Sequence, residues 1–445
     1  MLSRADNEFL TRSGKGTPMG ELLRRFWMPA LLSEELAERD GPPKEIKLLG
    51  EDLLAFRDSE GRVGIVEPHC PHRGANLYYG RNEECGLRCA YHGWKFDVEG
   101  RCVDLPTSPP ESSYKDTIEL LAYPTREWAD MIWVYMGPRE HMPELPQLEV
   151  GLVPSGHRYV SKKWQDCNWV QSLEGGIDTA HFSFLHAVLT KDEKEALAIY
   201  SRSAALGDQS KPDDRVRWVR NDPRPKFSIL GHDAGLVIGG ARKTDGPDLY
   251  WRIAQFLMPN HAFAPAAFPG EVYYGQAWVP VSDTDCWIYT YSWRPDRPFT
   301  NAERTQFAGG FGVHSHVGDD YMPVRNVRND YLIDRGLQKT TSFTGITGVS
   351  EQDAAIQDSQ GPIQDRTREH LGPTDLGIVE FRKMIMSAAR ALQAGAPPKA
   401  AAAAKSYAVR SGGWIAPPER DLATVMVERF GHHHGYVGAE HGLGE

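Results

Sequence analysis

The chain has 445 residues, with 50 Lys plus Arg against 60 Asp plus Glu, so the formal net charge is −10; hydrophobic residues make up 40% and charged residues 25%. That balance belongs to a folded globular protein and excludes a disordered one. The acidic sign argues against nucleic acid as the main partner, because phosphate binding relies on basic patches, and the length points to two or three domains with sizeable cores.

No run approaches the roughly 18 uncharged apolar residues of a membrane-spanning helix. The stretch Met1-Leu2-Ser3-Arg4-Ala5-Asp6-Asn7-Glu8 lacks the apolar core of a signal peptide, so a cytoplasmic location is expected. Residues 1–40 form a first region with a helix over Gly20 to Trp27, ahead of Pro29. From 41 to 142 the texture changes to short alternating runs such as Asp52-Leu53-Leu54-Ala55-Phe56. They are punctuated by the turns Asp58-Ser59-Glu60-Gly61 and Asp97-Val98-Glu99-Gly100 and predict a small antiparallel β domain. A third region, 143–392, opens on a Pro-rich link. It carries a helix from Trp169 to about Leu185, strand texture over 214–295 and a helix over 375–394. The Ala-, Pro- and Gly-rich run from Ala394 to Ala404 reads as a linker, so 393–445 is expected to be linker and tail, with His432-His433-His434 a solvated feature.

Within the β region stand Cys70-Pro71-His72-Arg73-Gly74 and Cys89-Ala90-Tyr91-His92-Gly93-Trp94. Each half offers one thiolate and one imidazole from a tight turn. Zinc fingers usually place both Cys in one knuckle and both His in the other. Mixed knuckles suit a [2Fe–2S] cluster with two Cys on one iron and two His on the other. The remaining cysteines, Cys85, Cys102, Cys167 and Cys286, fall outside the pattern and read as structural.

Further on, Asp178 and His181 are spaced i, i+3, with Glu174 one turn earlier and His186 five residues beyond His181. Five residues turn an ideal helix by about 140°, so the two histidines can share one ion only where the helix ends or bulges between them. Two neutral imidazoles and a carboxylate make the facial triad of non-haem Fe(II) oxygenases, with open positions for water, O₂ and substrate. The distant carboxylate should come from the segment Glu351 to Arg366, whose three aspartates, Asp353, Asp358 and Asp365, periodicity cannot separate.

Together these residues resemble the oxygenase (alpha) component of Rieske non-haem iron aromatic ring-hydroxylating oxygenases, in the phthalate dioxygenase-like group. The resemblance covers residues 1 to about 392. It also rests on Gly16-Thr17-Pro18-Met19-Gly20-Glu21-Leu22-Leu23-Arg24-Arg25-Phe26-Trp27, on Asn329 to Arg335 and on Gln360 to Gly372. It implies an α+β chain in which an all-β Rieske [2Fe–2S] domain precedes a helix-grip, START-like catalytic domain with a curved antiparallel sheet. It implies cluster ligands at Cys70, His72, Cys89 and His92, mononuclear Fe(II) ligands at His181 and His186, and a third ligand at Asp353, with Asp358 as runner-up. Asp178 matches the family's aspartate that bridges the two centres across a subunit boundary, which implies a head-to-tail homotrimer, alone or stacked. The 1–40 helical segment is then expected to pack on the catalytic domain.

The function so implied is that of a terminal oxygenase fed by an NADH-dependent flavin and iron–sulfur reductase. It would use O₂ to hydroxylate an aromatic carboxylate, with Arg242 and Arg202 as candidate carboxylate partners and Phe182, Phe184, Tyr250, Trp251 and Phe256 as candidate apolar lining. Two alternatives stand beside it: an O-demethylase of a methoxylated lignin-derived acid, and a Rieske electron carrier without a working mononuclear site.

Overall fold

A computed structural model describes residues 1–109, 111–189, 214–265 and 272–431. The chain divides into two units: Ser13–Pro143, and Met1–Arg12 together with Glu144 onward.

In the first unit Thr17 caps the helix α1 (Pro18–Leu23), accepting from the Gly20 N–H. The helix stops at Leu23, short of the expected end. Trp27 instead opens the strand β1 (Trp27–Leu32), because that strand completes a three-stranded antiparallel sheet ordered β1-β11-β10 with β10 (Thr125–Trp128) and β11 (Met131–Tyr135). Residues 13–40 therefore group with the β unit, and only Met1–Arg12 goes with the second. Two four-stranded sheets fill the rest. One runs β2 (Lys44–Leu48), β3 (Glu51–Arg57), β4 (Val63–Val66), β9 (Ala122–Tyr123). The other runs β5 (Arg81–Glu83), β6 (Gly86–Arg88), β7 (Lys95–Phe96), β8 (Cys102–Asp104).

The two turn signals close the same way. Asp58 accepts from the N–H groups of Glu60 and Arg62 and from the Arg62 guanidinium. Asp97 accepts from the N–H groups of Glu99 and Arg101 and from the Arg101 guanidinium. Between the sheets lies a core of Leu54, Phe56, Leu77, Leu87, Trp94 and Phe96, into which Cys70, Cys89 and Cys102 are also buried.

The second unit is built on one antiparallel sheet. Its order is β12 (Arg158–Gln165), β18 (Cys286–Trp293), β17 (Tyr273–Pro280), β16 (His261–Ala264), β15 (Leu249–Leu257), β14 (Gly235–Lys243), β13 (Lys226–His232). One face takes the helices α2 (Trp169–Ile177) and α4 (Leu376–Gln393). Phe256 meets Phe381 edge-on, Ile238 closes on Gly377, and the Trp278 indole N–H donates to Ser172 at 2.8 Å. The pair Gly175-Gly176 weakens a helix but is needed here. A Cβ at Gly176 would come within 2.4 Å of Trp278, and one at Gly175 within 2.2 Å of Gln357 on α3 (Val349–Ser359).

The stretch after 393 is not a loose tail. Residues Gly412–Ala416 form β19, which pairs with Leu249–Ile253 of β15, and α5 (Leu422–Phe430) buries Leu422, Val425, Met426 and Phe430 against Val237, Trp251 and Ile253. The low-complexity run before them is tied in place: the Gln147 N–H donates to the Ala404 carbonyl, and the Tyr407 hydroxyl to the Met258 carbonyl. His432 to His434 lie outside the described residues. Among the described residues, no helix is long and apolar enough to cross a membrane.

Candidate metal centres

The two Cys/His turns are near copies. The Cys70 N–H donates to the Ala75 carbonyl and the Gly74 N–H back to the Cys70 carbonyl; Cys89 makes the same pair of bonds with Trp94 and Gly93, all at 2.8–2.9 Å. Gly74 and Gly93 take φ of +72° and +74°, left-handed values that let each turn close. The turns bring the rings of His72 and His92 to 4.4 Å between centroids, and His72 stacks on Trp94 at 4.3 Å. Burial pushes the Cys70 thiol up to about 11, with neighbouring Cys89 adding to the effect and the His72 N–H opposing it. The Nδ1 atoms of His72 and His92 are buried and have no protein partner. Two buried thiols and two orphaned imidazole nitrogens on facing turns fit a [2Fe–2S] cluster held by Cys₂His₂.

In the second unit Asn168 caps α2 by accepting from the Val170 N–H, and the helix ends at Ile177 rather than near Leu185. Asp178 turns the backbone to ψ 120°, and its carboxylate takes the Ala180 N–H at 2.6 Å, so the chain leaves the helix before His181. A short 3₁₀ turn, His181–Ser183, follows.

That break lets both imidazoles face one point. The Nε2 atoms of His181 and His186 are 3.1 Å apart, and Oδ1 of Asp353 lies 3.5 Å from the first and 3.3 Å from the second. These three residues form a group able to hold one metal ion. On the far side of His181, Nδ1 lies 3.4 Å from Oδ2 of Asp178. Burial alone would lower the His181 pKa, but the Asp178 carboxylate, and then Asp353, hold it above the ordinary range; burial raises Asp353, and the two histidines more than offset it.

Asp358 does not approach this point. It sits five residues along α3, where Oδ1 accepts from Gln165 at 2.7 Å and Oδ2 from the Tyr331 hydroxyl. Asp365 caps its own turn through Thr367. Glu174 also points elsewhere: it is buried between Arg366 at 2.8 Å and Arg382 at 2.6 Å, and Arg382 also holds Glu369. A cleft of about 330 Å³ opens beside the triad, with Asp178, His181, Asp353, Gln360 and His370 on its walls.

Of the expected aromatic lining, Phe182 lies at the metal point, its ring 4.7 Å from those of both His181 and His186. Phe184 is exposed, Trp251 packs against α5, and Tyr250 and Phe256 pack against Trp218 and Phe381. Arg242 is fully buried; it donates to the Thr179 hydroxyl at 3.2 Å and the Thr179 carbonyl at 2.6 Å, while its Nε has no partner. Arg202 lies outside the described residues. Sequence reasoning missed Arg252, whose guanidinium sits 4.0 Å above the Phe182 ring; no spacing signal links strand residue 252 to a loop seventy residues earlier.

Residues 26–123 match the Rieske [2Fe–2S] domain family, and residues 134–421 match the family described as LigXa C-terminal domain like. The chain is 38% identical to the 3-chlorobenzoate-3,4-dioxygenase oxygenase subunit of Comamonas testosteroni, over 96% of this chain and 98% of that one. It is 38% identical to the phthalate 4,5-dioxygenase oxygenase subunit of Pseudomonas putida, over 89% and 88%. It is 31% identical to the 5,5′-dehydrodivanillate O-demethylase oxygenase subunit of a Sphingobium species, over 90% and 83%. Among solved structures, dicamba monooxygenase bound to 3,6-dichlorosalicylic acid shares the fold with a TM-score of 0.56 at 17% identity, over 84% of this chain and 98% of that one.

Proposed function

The chain belongs to the Rieske aromatic ring-hydroxylating oxygenases, as an oxygenase component, and from that premise we propose that it oxidises an aromatic carboxylate, by ring dioxygenation of a phthalate- or benzoate-like acid. The observation that carries the site is the convergence of His181 Nε2, His186 Nε2 and Asp353 Oδ1 within 3.1–3.5 Å of one another. Those three residues would hold the mononuclear iron, and Cys70, His72, Cys89 and His92 the cluster. When bound, the cluster supplies electrons one at a time and the mononuclear iron supplies the site at which O₂ is activated.

The chain's own residues do the rest. The Asp178 carboxylate stands 3.4 Å from Nδ1 of His181, where its charge favours a proton on that nitrogen and leaves Nε2 facing the triad. Asp353 supplies the anionic member of the donor set. Phe182 packs its ring against both imidazoles. Arg242, a buried cation with no carboxylate partner among the described residues, retains an unused N–H for an anionic substrate. Burial, with Arg252 nearby, lowers its pKa to about 10, which leaves it charged at neutral pH. Asp178 is also the residue through which a second copy would couple its cluster to this site in a homotrimer, and the electrons would come from an NADH-dependent flavin and iron–sulfur reductase in the cytoplasm.

The identity to an O-demethylase subunit supports a second reading, methyl-ether oxidation of a methoxylated aromatic acid. A screen of phthalate isomers, chlorobenzoates and methoxylated benzoates, with reconstituted protein and a surrogate reductase, separates the two. A diol product with matched oxygen uptake supports the first, formaldehyde the second, and no substrate-dependent uptake across the panel counts against both.

A further inference from the structure

His186 is buried, and its Nδ1 lies 2.6 Å from Oε1 of Gln352. The other end of that amide is also committed: Nε2 of Gln352 donates to the Ile346 carbonyl at 2.8 Å. The orientation follows from the chemistry. A carbonyl accepts only from an amide N–H, so the nitrogen end must face Ile346 and the oxygen end must face His186. An amide oxygen cannot donate, so Nδ1 of His186 carries the proton. Its Nε2 then presents a lone pair toward Asp353 and His181.

Gln352 is itself buried and precedes Asp353 on α3, so one short segment of helix delivers both the carboxylate at the metal point and the acceptor that orients a neighbouring imidazole. The two histidines are held unequally. His181 leans on a carboxylate at 3.4 Å, whereas His186 is held by a neutral amide at 2.6 Å that is anchored at its far end. A short, doubly anchored contact fixes a ring more firmly than a long one.

We infer that Gln352 is a positioning residue of the mononuclear centre: it sets His186 as the Nδ1–H tautomer and aims Nε2 at the point shared with Asp353. This rests on the reading of His181, His186 and Asp353 as the metal ligands. A neutral acceptor does this without adding a further negative charge beside the triad.

The test is Fe(II) affinity at the mononuclear site, measured on the full-length, cluster-loaded protein by competition with a coloured chelator, for wild type, Q352M and Q352E. Q352M keeps the length of the side chain but leaves the His186 N–H without an acceptor; Q352E keeps an oxygen toward that N–H but gives up the bond to the Ile346 carbonyl. Q352M should weaken Fe(II) binding by about 10–100-fold, with the visible spectrum of the cluster unchanged, and Q352E, which restores the acceptor but not the anchor, should recover part of that loss. Wild-type affinity in Q352M overturns the inference, as does equal loss in both variants, which marks a packing role. If Q352M does not fold, Q352L, which also removes the acceptor, takes its place: a loss of about 10-fold or more supports the inference and wild-type affinity overturns it. Failure of the wild type to bind Fe(II) beside an intact cluster overturns the metal reading itself, and this inference with it.

Discussion

Nε2 of His181 and Nε2 of His186 stand 3.1 Å apart, although five residues of continuous helix would turn them about 140° away from each other. The helix break at Asp178 is therefore part of the site and not a fraying end. Two imidazole lone pairs and a carboxylate oxygen cannot rest against one another in a partly buried place without a proton or a cation between them.

Replacing the carboxylate tests this directly. D353A should remove the mononuclear iron equivalent while leaving the visible absorption of the cluster intact, because the two sets of ligands share no residue. D358N should keep the iron, since Asp358 bonds Gln165 and Tyr331 instead. Metal analysis of the two variants decides it, and loss of iron in D358N with retention in D353A would exchange their roles.

The knuckles were legible because each is local: Cys70 and His72, or Cys89 and His92, come from a single turn, and their spacing is the signal. His181 and His186 were legible for the same reason, but the helix ends at Ile177, ahead of both histidines rather than between them. Asp353 was not separable from Asp358 by spacing alone. Both lie on α3, and what distinguishes them is which neighbours the fold packs against each side of that helix. The segment 393–445 misled for a related reason. Composition sees Ala, Gly and Pro, but the strand Gly412–Ala416 gains its stability from pairing with β15, some 160 residues away, and pairing that distant leaves no trace in local pattern. Trp27 was drawn into a helix by its neighbours and belongs to β1, whose partner β11 is likewise remote.

The turn glycines separate conformational cost from steric cost. Gly74 and Gly93 have nearly the same positive φ, but a Cβ at Gly74 meets nothing within 4 Å whereas one at Gly93 comes within 2.8 Å of Pro106 Cγ. G74A should cost about 1–2 kcal/mol, the left-handed penalty alone, and G93A clearly more. Melting of the cluster-bearing unit, followed by the visible circular dichroism of the cluster, would read this. Equal losses in the two variants would show that Pro106 yields freely.

Arg242 gives a charge-specific prediction. If its guanidinium receives the substrate carboxylate, R242M should raise KM for an aromatic acid about 10–100-fold, the worth of a hydrogen bond to a charged group, and should leave KM for the corresponding uncharged amide little changed. Because Arg242 also holds the Thr179 carbonyl, iron content should be measured alongside. Parallel loss on acid and amide would assign the residue to holding the Asp178–His181 turn.

Two buried histidines make the catalytic sheet sensitive to acid. Burial holds both His261 and His314 down at about 3, whereas in the unfolded chain each titrates near 6.5. The folded value is the lower one. Between about 3 and 6.5 the unfolded chain therefore binds protons that the native chain does not, and stability falls as pH drops through that window, by about 1.4 kcal/mol per pH unit for each residue. His314 bridges Ser161 at 2.7 Å and Ser292 at 2.8 Å, a span that Gln can keep without titrating. In H314Q the stability lost between pH 7.5 and 5.0 should shrink by about 2 kcal/mol, measured by urea unfolding at the two values. An unchanged pH dependence would mean that His314 does not titrate across this window.

The C-terminal segment should behave as core. Val425 is fully buried on α5 against the outer face of β14 and β15, and Gly239 closes on Leu422 from the sheet side. V425D would bury a carboxylate among Val237, Trp251 and Ile253, a change that costs several kcal/mol, so the expected outcome is aggregation or a large drop in melting temperature. Truncation before Gly412 should be as severe, because it also strips β15 of the five pairings made by β19. E428Q, on the same helix but with the Glu428 side chain paired, among the described residues, to exposed Arg420, should melt within a degree or two of wild type, since a surface ion pair contributes little. A stable, iron-loaded chain lacking residues 412–445 would show that β15 keeps its place through β14 and β16 alone.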